Sequence, residues 1–417
     1  MNKQLAELQK IDCKTAPYET RIYRKARRVS QSYTRVLGAD GAGAEGQEHA
    51  YHVMSSPWTN RFSCLFMYVF FAAILPSMAE EGEEKANLET TSVKGGLEVN
   101  YLSDREYPEI TITQFAYGSC NKPERVSQKF WDVILENNPQ LMLLLGDQHY
   151  VNSNDPVDHK AAFQQLDKIE GYSKMRSLVP TFAIWDNHDY AKGYRGKNHP
   201  NAEAVEEAFL EGNRVPLDCP RRSRAGVYGS WIFGKKPNRV LVIMLDSHRH
   251  RDALSGRKAF SVNEDSQMTI LGKEQWKWLD QQLKREAEVR VIGSSNQVIS
   301  NEHTWQRWGV FPHERQRLLE MLAKAKGTSV ILSGDRHRGE IARFEQAGSK
   351  PICEITASGW AQTYDRAEPN KFRIKGPTAK NHYGWMSIDW KNLEIKNQIL
   401  STEDSAVILE HVEKIGQ

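Results

Sequence analysis

From Val330 to Glu340 the chain reads V-I-L-S-G-D-R-H-R-G-E. Three apolar residues, two of them β-branched, run into Ser333-Gly334, and Asp335, Arg336, His337, Arg338 and Glu340 follow. A buried strand that ends at a functional loop has this pattern. A carboxylate and an imidazole two residues apart can reach one metal cluster if the backbone is extended or turning. Read alone, the stretch is equally a polar loop after a core strand. The same kind of stop recurs four times. G-S-C-N (118–121) follows a stretch rich in β-branched and aromatic residues at 111–117, and G-D-Q-H-Y (146–150) follows the apolar run 141–145. W-D-N-H-D (185–189) follows 179–184, and S-S-N-Q (294–297) follows 289–292.

Between these stops the apolar spacing changes to a helical period. Helices are expected over 123–137, most of 158–174, 202–211, 272–287 and 312–326. A further strand at 239–245 ends at Asp246-Ser247-His248, and the tail carries short strands near 352–356, 384–388 and 393–398. Residues 257–267 read as a surface loop. Strands alternate with helices and the polar clusters sit where strands end. Ligands of open α/β sheets bind outside those carboxyl ends. One catalytic domain is expected over 93–417.

Composition fits a globular protein: 417 residues, 39% hydrophobic and 26% charged, with a formal net charge of +3. A balance this close to neutral gives no argument for nucleic-acid recognition, and RNP-like motifs, zinc-finger spacing and long basic runs are absent from the sequence. The five cysteines contain no C-x-x-C, which argues against a zinc ribbon or a thioredoxin-like site. Cys219 and Cys353 read as either bridged or simply buried.

The apolar run from Cys64 to Leu75 is too short to span a bilayer comfortably. With Arg61 before it and Ser77-Met78-Ala79 after it, residues 54–79 read as a signal peptide beginning at Met54. On that reading 1–53 is a non-translated or disordered extension and 80–92 a linker. The protein is then secreted, periplasmic or on the cell surface, with no stable membrane span after cleavage. The alternative is an uncleaved anchor at 62–78. Sequencing the mature N-terminus distinguishes the two: a chain still carrying the apolar run contradicts cleavage.

The ordered stops G-D-x-x, N-H-D and G-D-x-H resemble the calcineurin-like metallophosphoesterase superfamily. Cys120 at the first stop, Tyr150 three residues after Asp147, and Asp335 where relatives carry a His resemble its alkaline phosphatase D (PhoD-like) branch. The resemblance covers roughly 115–389 and implies an α/β fold of two packed mixed β-sheets flanked by helices, a four-layer α/β/β/α sandwich. It also implies ligand roles. Asp147 would bridge two metals, Cys120 and Tyr150 would bind one of them, and Asn187 and Asn296 the other. Asp335 and His337 would divide between the two, and His188 would contact substrate.

Donor chemistry agrees with that division. Cys120, Tyr150, His337 and Asp147 form a set with two anionic, polarizable donors, suited to iron(III). Asp147, Asn187, Asn296 and Asp335 offer only oxygens, which suits calcium; magnesium, manganese and zinc stay open. The expected activity is hydrolysis of phosphate mono- or diesters by a metal-activated water or hydroxide. His188 would act as the acid, Arg251 (with Arg336 or Arg338) would hold phosphate oxygens, and Asp189 would orient His188. The alternatives are a phosphodiesterase or phospholipase D-type enzyme on the same site and a non-catalytic phosphate-binding protein. The last of these would be expected to have lost a ligand such as Asp147. A purple-acid-phosphatase-like enzyme would carry a His where Asp335 stands.

Overall fold

The computed structural model describes residues 101–256 and 259–416. The expected extension, signal peptide, linker and first residues of the domain (1–100) lie outside the described residues. Among the described residues, strands build two sheets. The larger contains β1 (Arg105–Tyr107), β5 (Gly229–Phe233), β6 (Val240–Met244), β7 (Val289–Ser294), β8 (Thr328–Ser333), β9 (Gly339–Phe344), β10 (Ile352–Ala357) and β11 (Arg373–Thr378). The smaller contains β2 (Gln114–Gly118), β3 (Met142–Leu144), β4 (Thr181–Ala183), β12 (His382–Asp389), β13 (Glu394–Ser401) and β14 (Val407–Lys414). Their orders are β1-β5-β6-β7-β8-β10-β9-β11 and β14-β13-β12-β2-β3-β4.

The larger sheet is parallel through β6-β7-β8-β10, and the smaller is parallel along one edge, β2-β3-β4. Antiparallel pairs complete each sheet, so both are mixed. Strand periodicity explains how the layers stack. In β6 the alternate residues Val240, Val242 and Met244 join one apolar core with Phe115, Tyr117 and Leu143 of the facing sheet. Leu241 and Ile243 point the other way, into a second core. There they meet Trp276 and Leu279 of a helix at Gly272–Leu283 and Leu318 and Leu322 of one at Pro312–Lys324. Helices at Phe130–Glu136, Pro156–Leu166, Glu170–Leu178 and Ala202–Gly212 contribute to the first core. The expected arrangement of two mixed sheets with flanking helices is the observed one.

Local differences have local causes. The helix expected from 123 starts only at Phe130, because Lys122–Arg125 closes a turn and the Ser127 hydroxyl takes the Lys129 N–H. The helix expected over 158–174 is two helices, broken between Leu166 and Glu170. Strands β1, β5, β9, β11 and β14 are not among the expected ones. R-E-Y is only three residues long, G-S-W-I-F is short and begins on a glycine, β11 contains Gly376-Pro377, and V-I-L-E-H-V-E-K alternates only loosely. No disulfide forms among the described residues; Cys120, Cys219 and Cys353 are each free and buried.

The sheets are held face to face by stacking as well as by aliphatic packing. Trp231 of β5 lies against Phe182 of β4 with ring centroids 4.0 Å apart and planes 9° from parallel. Its indole N–H donates to the Tyr101 carbonyl at 3.0 Å. Trp231→Ala is expected to destabilise the fold by about 3–5 kcal/mol, measured as a lowered urea midpoint; an unchanged midpoint would show that this contact does not join the sheets.

Candidate metal centre

The carboxyl ends of the parallel strands in both sheets supply the polar stops. Cys120 follows β2, Asp147 follows β3, and Asp186 follows β4 and caps a one-turn helix, Asn187–Tyr190. Asp246, Asn296 and Asp335 follow β6, β7 and β8. The backbone is unusual at four of the expected ligands. Cys120, Asp147, Asp335 and His337 all have positive φ, at 64°, 51°, 64° and 53°. Non-glycine residues in this region cost about 1–3 kcal/mol each and gather at functional sites. Gly146, at φ 104°, allows the close approach of two stops: a Cβ there would lie 2.6 Å from the Asp186 Cβ.

One atom each from Cys120, Asp147 and His337 lies within 4.8 Å of the others, close enough to bind one ion together. The Cys120 Sγ is 3.8 Å from Asp147 Oδ2. His337 has its Nδ1 2.9 Å from the Gln362 carbonyl. An Nδ1–H donated there fixes the tautomer and leaves Nε2 as a ligand atom. Ser358 ties two of these residues together. Its Oγ accepts the His337 N–H at 2.8 Å and lies 3.1 Å from Cys120 Sγ, so its own proton can go to the sulfur. The Tyr150 hydroxyl is buried beside the same thiol and carboxylate.

Electrostatics here are unfavourable without a cation. Burial, with repulsion from Asp186 next, raises Asp147 well above the usual carboxylate range. Burial pushes Asp335 up to about 6, again with repulsion from Asp186 next. Asp186 itself is pushed up to about 6 and Asp189 to about 7, chiefly by burial. Burial also raises the Cys120 thiol to about 11, the Ser358 hydrogen bond offsetting part of the rise, and lifts the Tyr150 phenol well above its ordinary value. These are groups that a metal ion would ionise and neutralise.

The residues named from sequence separate into two sets. Cys120, Asp147, Tyr150, Asp335 and His337 share the pocket. His188 joins them: its ring is 4.2 Å from Tyr150 between centroids, its N–H donates to Asp147 Oδ1 at 3.2 Å, and burial lowers it to about 4. Asn187 starts the helix beside it and is buried.

Three readings change. Arg251 is not a phosphate clamp: it is 2% exposed, and its two terminal nitrogens donate to the carbonyls of Asp252, Tyr194 and Arg195. Asp189 does not orient His188; its carboxylate accepts the backbone N–H groups of Asp147, Gln148 and Asp186 and so holds two stops in place. Asn296 spends its Oδ1 on Gln306 (2.7 Å) and Ser247 (3.0 Å), while its amide nitrogen donates to Asp186 Oδ1 at 3.1 Å.

Asp186 is the site residue that motif reading missed. Its Oδ1 meets His248 Nε2 at 2.7 Å as well as Asn296, and its buried Oδ2 has no partner. Lys122 was also missed, its ammonium standing 5.2 Å from the Tyr150 ring centroid. Neither followed a recognised motif position, although Asp186 precedes Asn187 directly. One terminal nitrogen of Arg336 donates to both Glu368 oxygens, at 2.6 and 2.7 Å, and the other lies 3.5 Å from Asp335.

Comparison with known proteins fits this geometry. The family described as PhoD-like phosphatase matches residues 157–392, more than half of the chain. The chain belongs to the PhoD-like phosphatase family. The matched stretch includes Asn187, His188, Asn296, Asp335 and His337, while Cys120, Asp147 and Tyr150 precede it. A solved structure of PhoD has the same fold, with a TM-score of 0.61 at 17% identity over 74% of this chain and 69% of that one. GAP50, the anchor in the inner membrane complex of Plasmodium, gives 0.46 at 13% identity, covering 73% of this chain and 90% of its own. A 5'-nucleotidase from Candida albicans gives 0.37 at 11%, covering 73% and 54%. No curated protein matches. Family membership makes the protein a phosphoric ester hydrolase. No helix among the described residues is long and apolar enough to cross a membrane.

The raised carboxyls have a consequence for stability. An acid whose folded pKa stands above its unfolded value binds more protons when folded, so its contribution is lost as pH rises through the folded pKa. For Asp335, Asp186 and Asp189 that window lies between the usual carboxylate value and about 6 to 7. Chelator-treated protein is therefore expected to melt at a higher temperature at pH 5 than at pH 8, with Asp186→Asn flattening the difference. A melting temperature that falls toward pH 5, or a profile that Asp186→Asn leaves unchanged, would contradict the assignment.

Proposed function

We propose that the protein hydrolyses phosphate mono- or diesters at a two-metal site, with export through the segment at 54–79. The observation that supports this most strongly is the pocket charge. Asp147, Asp186 and Asp335 are buried close enough to repel one another, beside a thiol and a phenol. Such a pocket fits cations better than it fits any neutral ligand.

The residues fit an iron(III)–calcium pair. Cys120, Tyr150 and His337 would hold the iron with Asp147, a set with two anionic, polarizable donors. Asp147, Asn187 and Asp335 would hold the calcium, all through oxygen. Asp186, with its orphaned Oδ2, takes the place first expected of Asn296. Asn296 then acts through Asp186, as does His248. Bound there, the two ions would supply the charge that polarises a phosphoryl oxygen and the lowered pKa that activates water.

The chain's own side chains do the rest. His188, uncharged near neutral pH with its value lowered to about 4, presents a ring nitrogen beside the pocket. From there it can hold the leaving oxygen and, once phosphate charge raises its basicity enough for it to take up a proton from solvent, pass that proton to the leaving oxygen. Lys122 stands at the same side with its ammonium over Tyr150, where it would meet phosphate oxygens or the leaving group. Arg251, by its position, steadies the 194–195 and 252 carbonyls instead.

Asp147→Asn is expected to lower hydrolysis of aryl phosphates and bis-aryl phosphodiesters alike by at least ~100-fold, since even residues behind a metal ligand cost about 10–100-fold when changed. Undiminished turnover in that variant would exclude the two-metal reading. The same panel, extended to phospholipids, separates phosphatase, phosphodiesterase and phospholipase D-type preferences in the parent enzyme.

A further inference from the structure

A second group of metal-ligand side chains lies away from the polar stops. Cys353 belongs to β10 in the eight-stranded sheet, while His411 and Glu413 belong to β14, an edge of the six-stranded sheet. Two residues apart on a strand, His411 and Glu413 point to the same face. That face turns inward, since Val412 between them is 40% exposed. One atom each from Cys353, His411 and Glu413 lies within 4.8 Å of the other two. Glu413 Oε1 is 2.9 Å from Cys353 Sγ and 2.7 Å from His411 Nε2. Cys353 pairs in register with Val330, near the start of β8, whereas the catalytic stop at Asp335 follows the end of that strand.

We propose that Cys353, His411 and Glu413 bind a divalent transition-metal ion, zinc by donor chemistry, that ties the last strand of the chain to the opposite sheet. Sulfur, imidazole nitrogen and carboxylate oxygen are the three donor types zinc accepts, with water or the second Glu413 oxygen completing a tetrahedron. The charges in contact add up correctly. Arg343 is shared between Glu345 and Glu413, its Nε standing 3.1 Å from Glu413 Oε1. Those three groups carry one net negative charge, and an ionised Cys353 makes two, which a divalent ion neutralises. A carboxylate has two oxygens and about four lone-pair positions, so Glu413 can accept from Arg343 and bind an ion together. Binding balances as a proton exchange: the metal–sulfur bond forms, the S–H bond breaks, and the proton leaves to solvent.

Burial and the Glu413 carboxylate hold the metal-free thiol far above its ordinary range. Alone, then, the cluster is a chain of hydrogen bonds on a protonated cysteine, and the ion converts it into an inter-sheet clip. Cys353 is 2% exposed while His411 and Glu413 are partly open to solvent, so the ion would enter from the β14 side.

The test is a cobalt(II) titration of the full chain in a Cys120→Ser background, which removes the catalytic thiolate. Near-ultraviolet sulfur-to-cobalt absorption is expected to remain in Cys120→Ser and to vanish in Cys120→Ser/Cys353→Ser. His411→Gln in the same background is expected to weaken cobalt binding at least tenfold. This partly exposed position keeps the test open if the cysteine variant folds poorly, as judged by circular dichroism. Absorption that is missing in Cys120→Ser, persists without Cys353, or is indifferent to His411→Gln would overturn the proposal. Because Cys120 is absent throughout, the result is independent of whether the catalytic centre binds metals.

Discussion

Burying several acids against one another is the constraint to which the rest of this structure answers. Asp147, Asp186 and Asp335 come from three strand ends on two sheets; burial raises all three, and repulsion from Asp186 adds to the rise at Asp147 and Asp335. An isolated buried carboxylate costs several kcal/mol unless something compensates it. The protein compensates only in part. His248 and Asn296 hold one oxygen of Asp186, Asp189 is committed to backbone N–H groups, and Arg336 shares itself between Asp335 and Glu368. The remaining charge is what the proposed pair of ions would neutralise.

Holding the cluster together against this repulsion falls to the backbone. Left-handed φ values occur at Cys120, Asp147, Asp335 and His337 immediately after their strands end, and three of these side chains, Cys120, Asp147 and His337, converge on one point. Strain of this kind persists only where the surroundings over-determine it. Here the surroundings are the Asp189 carboxylate under one stop, Ser358 between two others, and the stacked sheets beneath them all. The parallel strands of both sheets present their carboxyl ends on the same side, which is why residues far apart in sequence meet.

Much of this was legible in the sequence, for a physical reason. The parallel strands β2, β3, β6, β7 and β8 are covered on both faces, so they read as apolar runs, and the polar residue that ends each run is conspicuous. Cys120, Asp147, Asp335 and His337 stand out in this way. Arg251 and Asn296 misled because charge and amide groups say nothing about which partner they will find. Arg251 found carbonyls, and Asn296 found Asp186 across 110 positions of sequence. Asp186 was overlooked because its partner His248 lies 62 residues away, in the loop after β6 of the other sheet. The edge strands β11 and β14 are partly exposed, interrupted or weakly alternating, and periodicity had little to act on.

A cluster of acids, a thiol and an imidazole carries the proposed chemistry, with cations to complete it. Elemental mass spectrometry of the protein purified without added metals or chelator addresses this most directly. Stoichiometric iron and calcium, with iron lost in Cys120→Ser and calcium lost in Asp335→Asn, is the expected result. Protein that hydrolyses phosphate esters while carrying no stoichiometric metal would contradict the central claim, and zinc in both positions would contradict the assignment drawn from the donors.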